Sequence, residues 1–256
     1  MSNMKIAAQL YTLREHLETP EDVEKSLKKV KAMGYNAVQV SGLGPIDPER
    51  LKKIVNKNDL KICATHVSYD RLQNELDEII KEHKLWDCKY VGLGAMPQEY
   101  SDSEAGFKKF AKNASEIARN LKKSGLQFIY HNHNFEFAKF GDKIGLEILY
   151  EETDSEVFDF EIDTYWVQAG GGDPVKWIKK MKDRMKVVHF KDMTVEGWKP
   201  IMAEVGEGNL NWSAIIEACD NIGVEWCAVE QDECQRSPFE SLEISLNNLK
   251  DMGLKV

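Results

Sequence analysis

Short apolar runs alternate with longer amphipathic ones along this chain, and the alternation repeats eight times. The apolar runs fall at 4–10 (MKIAAQL), 37–41 (AVQVS), 61–66 (KICATH), 89–93 (KYVGL), 126–131 (LQFIYH), 157–162 (VFDFEI), 185–190 (MKVVHF) and 225–230 (EWCAVE). Most are continuous rather than strictly alternating, as expected of parallel strands covered on the outside by helices.

The runs between them read as helices. Residues 20–33 start with Pro and acids, space Val23, Leu27 and Val30 at helical intervals, and stop at Gly34. Residues 102–124 place Phe107, Phe110, Ala114, Ile117 and Leu121 on one stripe and end at Gly125. Residues 173–183 open with Asp-Pro, an N-cap followed by a favoured first-turn residue. The other helices are expected at 47–58, 70–84, 142–153, 211–221 and 238–251. Strand-then-helix, eight times over with no linker or low-complexity segment, predicts an α/β fold, a single (β/α)8 TIM barrel over residues 1–256. A doubly wound sheet usually carries a Gly-rich phosphate turn after its first strand, and here that turn is QLYTLRE.

Composition narrows the function classes. The formal charge of −9 argues against a nucleic-acid partner but says nothing against a metal or a neutral sugar. Lys5 and Gln9 interrupt what would be the apolar core of a signal peptide, and no window approaches 18 apolar residues, so no membrane partner is expected. The five cysteines are scattered, odd in number and free of CxxC spacing, which predicts a reduced, cytoplasmic setting and no cysteine-based zinc site. A homo-oligomer is compatible with the sequence, and no feature selects a state.

In such barrels the active site is built from strand C-termini and the loops after them. His66 ends the third strand, His131 and His133 the fifth, and His189 the seventh, which places four of the six histidines at strand ends. Asp163 follows the sixth strand and Glu230 ends the eighth. Any one of these residues alone is explained as a hydrogen-bonded rim group. Asp163, His189 and Glu230 at three consecutive strand ends instead predict a nitrogen/oxygen site for one divalent ion: Mn2+ first, with Zn2+, Co2+, Fe2+ or Mg2+ as alternatives. Substrate-wall candidates are Gln9, Tyr11, Gln39, His66 and Trp166, since aromatic faces and amides suit a carbohydrate or polyol. Lys191 and His133 are candidates to stabilise an oxyanion or protonate a leaving group, although Lys191 also reads as a surface lysine paired with Asp192. The Gly170–Gly172 run and Gly206-Glu207-Gly208 are loop punctuation, and without a basic cluster they do not support a phosphorylated substrate.

The runs AAQLYTLRE, YHNHNFEF, DTYWVQAGG, VVHFKDM, VGEGNLNW and VEQDE resemble the xylose-isomerase-like TIM barrel superfamily of sugar-phosphate isomerases and epimerases, in order and over nearly the whole chain. The resemblance implies one divalent ion held by side chains from strands 5 to 8, with Asp163, His189 and Glu230 as three of them. On strand 5, epimerases carry a glutamate where this chain reads YHNH. The match implies His131 there, as in the histidine-rich strand 5 of inosose dehydratase. His133 is the alternative, and Glu136 in the loop beyond is placed to reach back to metal or substrate. Epimerases of this kind use two metal-bound glutamates on opposite faces of a carbon beside a carbonyl and proceed through an enediolate. One remaining base, Glu230, fits isomerisation or dehydration at least as well. Isomerase or epimerase action is the superfamily default, and dehydratase or lyase action on a keto-sugar or keto-inositol is the close alternative. Two remoter readings are an endonuclease IV-like enzyme, disfavoured by charge and by Trp166 where a second strand-6 histidine would stand, and a non-catalytic sugar-binding barrel.

Overall fold

The computed structural model describes residues 2–255. Eight strands, β1 (Lys5–Gln9), β2 (Ala37–Val40), β3 (Lys61–His66), β4 (Tyr90–Leu93), β5 (Gln127–His131), β6 (Phe158–Glu161), β7 (Val187–Phe190) and β8 (Trp226–Val229), form one parallel sheet. Going round, each strand pairs with its sequence neighbours, and β8 pairs with both β7 and β1. Only β6 and β7 lack a ladder. Their seam is closed by Phe160 N–H to Arg184 O at 2.7 Å, His189 N–H to Ile162 O at 2.9 Å and a bridge between Asp163 and His189. The predicted (β/α)8 barrel is the observed fold.

Helices α1 (Pro20–Met33), α2 (Pro48–Lys57), α3 (Tyr69–Asn74), α4 (Leu76–Trp86), α5 (Glu104–Lys123), α6 (Gly145–Glu152), α7 (Thr164–Ala169), α8 (Pro174–Lys180), α9 (Trp212–Ile222) and α10 (Pro238–Asp251) pack outside the strands. Local chemistry sets their ends. The Thr19, Asp47, Ser103 and Asp173 side chains accept from first-turn amides, and Pro occupies the first turn of α1, α2, α8 and α10. The expected helix 70–84 is instead two helices. Ser68 caps α3, and Glu75 leaves helical geometry at φ −130° before α4 begins. The expected helix 142–153 starts only at Gly145, because Lys139–Phe140 and Lys143–Ile144 form a tight hairpin just before it. Sequence periodicity also missed α7 and a longer hairpin, Asp192–Glu196 with Lys199–Ala203. That hairpin carries Trp198, fully exposed, at its turn.

The interior divides into layers. Ala7, Ala37, Cys63, Ala64, Tyr90, Ile129 and Val187 make a small apolar plug at the N-terminal end of the barrel. Toward the C-terminal ends the buried side chains turn polar, with Gln9, Gln39, Glu161 and His189 all at 0% exposure. The large core lies between strands and helices and includes Phe107, Phe110, Phe128 and Phe158, each contributing roughly 1.5–3 kcal/mol by burial. All five cysteines are free, and four of them are buried in this packing. Among the described residues no helix is long and apolar enough to cross a membrane.

Candidate metal centre

Strand alternation brings the end residues of β5 to β8 inward, so side chains from neighbouring strands meet over the polar layer. His131, Asp163, His189 and Glu230 are all buried, and each offers one donor atom such that all four lie within 4.8 Å of one another. His131 Nδ1 faces the Gly94 carbonyl at 2.9 Å. A carbonyl only accepts, so that nitrogen carries a proton, and Nε2 stands 3.2 Å from Asp163 Oδ2, free to bind an ion in place of a proton. Asp163 divides its two oxygens. Oδ1 caps α7 by accepting from Trp166 N–H at 2.8 Å, and Oδ2 faces the cluster. His189 Nδ1 lies 3.0 Å from Glu230 Oε2 and 3.7 Å from Asp163 Oδ2. Donors sharing one ion at bonds of about 2.0–2.2 Å lie roughly 3–4 Å apart, so the spacing and the two-imidazole, two-carboxylate chemistry fit a divalent ion.

The fifth member is Lys191. It is not the surface lysine of the alternative reading but fully buried, with Nζ 3.1 Å from Asp163 Oδ2, 2.8 Å from Glu230 Oε2 and 2.7 Å from Asp232 Oδ2. Its ammonium also sits 5.3 Å from the centre of the Trp166 ring. Burial lowers the pKa of Lys191, but Asp163, Glu230 and Asp232 outweigh that and raise it. Burial likewise pushes Asp163 and Glu230 up, and Lys191 with the histidines pulls both far below the usual carboxylate range. Asp163, Glu230 and Lys191 are therefore ionised throughout the neutral range.

Asp192, the partner expected for Lys191, points away. Its carboxylate accepts from the Met193, Gly206, Gly208 and Leu210 amides and from Trp212 Nε1. It thus moors the loop 204–212 to the base of the exposed hairpin. A Cβ on Gly208 would lie 2.4 Å from Asp192 Oδ1, which is why the loop needs glycine there.

The structure separates the remaining site residues. Tyr11, His66, His131, His133, Trp166 and Glu230 line a cavity of about 800 Å3 above the cluster, together with Arg14, Tyr69, Met202 and Asp232. His133 Nδ1 and Trp166 Nε1 are buried without a hydrogen-bond partner. Burial, then His131 and Lys191, depress the His133 pKa to about 3, so it stands neutral and is not a resting proton donor. Glu136 does not reach the metal cluster. Its carboxylate accepts from the Tyr130 hydroxyl at 2.6 Å and the His133 amide at 2.9 Å, bracing the turn after β5. Gln39 is likewise no cavity wall: it lies below the cluster, bonded to Glu161 and His189. Gln9 is buried too, with its Oε1 accepting from Tyr11 N–H at 3.1 Å. Sequence reasoning assigned no role to Glu161 or Arg14. The signal for Glu161 was its place two residues before Asp163, on the same strand face.

Eight parallel strands closing on a buried donor cluster at their C-terminal ends define a TIM barrel with a candidate metal site at its mouth. The family model described as xylose isomerase-like TIM barrel matches residues 27–252, and the chain belongs to that family. A curated inosose dehydratase of Lacticaseibacillus casei is 23% identical over 255 residues, covering 85% of each chain. A crystal structure of a sugar phosphate isomerase/epimerase from Parabacteroides distasonis superimposes with a TM-score of 0.81 at 23% identity, covering 99% of this chain and 96% of that one. The IOLI protein, solved with a bound zinc atom, superimposes at 0.72 with 14% identity, covering 97% of each chain.

Proposed function

We propose that this chain is a divalent-metal-dependent enzyme that removes a proton beside the carbonyl of a keto-sugar or keto-polyol, with loss of water as the outcome. The carrying observation is that Glu230 is the one glutamate among the four clustered donors, where inversion at carbon calls for a base on each face. The similarity to inosose dehydratases over most of the chain supports the same outcome.

A divalent ion, manganese in the first instance, would be held by His131, Asp163, His189 and Glu230 and would supply Lewis acidity to a carbonyl oxygen. The chain's own residues do the rest. Glu230 borders the cavity and uses Oε2 toward His189 and Lys191, which leaves Oε1 to receive the proton. The Lys191 ammonium, fully buried and facing Asp163, Glu230 and Asp232, would favour a developing oxyanion by its charge rather than by donating to a departing hydroxyl. His133 Nδ1 and Trp166 Nε1 need partners, which substrate hydroxyls provide. A cavity of about 800 Å3 accommodates a single sugar or inositol ring. Asp70, Glu230, Asp232 and Glu233 line it against the one guanidinium of Arg14, a balance that favours a neutral polyol over a phosphorylated one. The free cysteines support a reducing, cytoplasmic setting.

The second reading is isomerisation or epimerisation at the same carbon, the outcome named for the Parabacteroides protein. Incubating keto-sugars, ketoses and inososes with manganese in D2O, with NMR detection, separates the two. An unsaturated product supports dehydration, whereas deuterium incorporation without loss of water transfers the assignment to isomerase or epimerase. Full activity in Glu230→Gln would remove Glu230 as the base.

A further inference from the structure

Beneath the donor cluster lies a second buried group, centred on Glu161, that shares His189 with the cluster and reaches the cavity through His66. Glu161, at the end of β6 and 0% exposed, is surrounded by side chains from three other strands. Gln39 Nε2 of β2 donates to its Oε1 at 2.9 Å, and His66 Nε2 of β3 lies 2.6 Å from its Oε2. His189 Nε2 of β7 stands 3.3 Å from Oε1 and closer, 2.9 Å, to Gln39 Oε1.

Hydrogen-bond logic makes this arrangement directional. An ionised carboxylate can only accept, so the Gln39 amide must turn its NH2 to Glu161 and its oxygen to His189. That oxygen can only accept, so His189 must carry its proton on Nε2. Glu230 Oε2 also only accepts, so without an ion Nδ1 carries a proton as well; an ion would take that proton's place at Nδ1, the nitrogen that faces Asp163 and Glu230, while Nε2 keeps its own. The reverse amide orientation would set oxygen against oxygen at Glu161 and two donors against each other at His189. Glu161 takes the Gln39 amide on one oxygen and the His66 ring on the other, which is the geometry of an acceptor. The same carboxylate fixes His66, leaving its Nδ1 without a protein partner at the cavity wall.

We propose that Glu161 is a positioning residue that sets the tautomer of His189 through Gln39, and so sets the affinity of the site for its divalent ion. It does this without being a ligand. An ion-binding imidazole held in place by an outer carboxylate or carbonyl typically loses 10–100-fold in metal affinity when that partner is removed. The inference rests on the metal reading of the cluster above.

The test measures zinc affinity by competition with a chromophoric chelator, so activity is not needed. Glu161→Gln and Gln39→Leu are each expected to weaken zinc binding by about 10–100-fold. Glu161→Asp, which keeps the accepting group, is expected to recover part of the loss. His66→Gln removes a neighbour of Glu161 that stacks on the His189 ring at 5.3 Å but bonds neither Gln39 nor His189, and its zinc affinity is expected to stay near that of the wild type. In 15N-histidine spectra of the zinc-loaded wild type, the proton of His189 is expected on Nε2. Zinc affinity within about twofold of wild type in a folded Gln39→Leu or Glu161→Gln protein would overturn the proposal, as would an equal loss in His66→Gln. If Glu161→Gln does not fold, Gln39→Leu and the histidine tautomer decide. If the wild type itself binds no zinc or manganese, the metal reading fails, an outcome distinct from unchanged affinity in the variants.

Discussion

Replacing Lys191 with methionine keeps the length of the side chain and removes its charge from a pocket shared with Asp163, Glu230 and Asp232 at 2.7–3.1 Å. Breaking a buried ion pair by deleting one partner typically costs about 3–5 kcal/mol, because the other charge stays buried and uncompensated. The metal-free Lys191→Met protein is therefore expected to lose about that much, read by urea denaturation in the presence of a chelator. Metal binding moves the other way. An ion held by Asp163 Oδ2 and Glu230 Oε2 shares both oxygens with the ammonium, and two cations so placed repel. Unit charges about 4 Å apart at an effective dielectric of about 20 interact by about 4 kcal/mol. Even a third of that, about 1.4 kcal/mol, makes zinc bind about tenfold more tightly to the variant. Titration calorimetry with zinc measures this. A stability loss below about 1 kcal/mol, or zinc binding weaker than in the wild type, would refute the charge reasoning.

Three further outcomes follow from features away from the donor atoms. Asp192→Ala strands the amides of Gly206, Gly208 and Leu210 and the Trp212 indole, and is expected to cost about 3–5 kcal/mol and expose 204–212 to limited proteolysis; an unchanged digestion pattern would count against the mooring role. Glu136 has its pKa raised by burial from 4.5 to about 8 in spite of its bonds to Tyr130 and His133, so its contribution to stability is present below about pH 4.5 and is lost as pH rises through about 8. Glu136→Gln should remove that loss, and the gap between variant and wild-type urea midpoints should widen from about pH 5 to about pH 8.5; parallel profiles would contradict it. Gly92→Ala would place a Cβ 2.3 Å from Thr65 O and 2.8 Å from His66 Cδ2, so a melt lowered by the equivalent of about 1–3 kcal/mol is expected, with His66 displaced in a crystal structure.

The barrel was legible because continuous apolar runs, helix caps and left-handed glycines are local signals. Pro20–Met33 and Pro238–Asp251 match the expected spans to the residue. The split at Glu75 and the hairpin at 192–203 were not legible, since one rests on a single backbone departure and the other on a loop held by Asp192 from outside it. In the site, Asp163, His189 and Glu230 could be read from strand position, and His131 through the family resemblance with His133 as the alternative; the structure brings Asp163, His189, Glu230 and His131 together. The roles of Gln39 and Glu136 could not. Both lie next to strand ends, but whether such a side chain faces the cavity or the layer beneath depends on partners from other strands. Gln39 meets Glu161 across 122 positions and His189 across 150.

The seam between β6 and β7 gives the donor cluster a second meaning. Every other strand boundary in the barrel is a ladder, interrupted between β2 and β3 by one register shift at Val38/Gln39, while this one rests on a few bonds around Asp163 and His189. The donors bridge chain separations of 32 residues from His131 to Asp163 and 41 from His189 to Glu230. An ion bound there would act as a topological staple, closing long loops across the least-zipped edge of the sheet in the way a disulfide closes them elsewhere. Amide exchange at Phe160 and His189 would then report ion occupancy before any catalytic assay, since this edge should breathe when the staple is withdrawn and tighten when it returns.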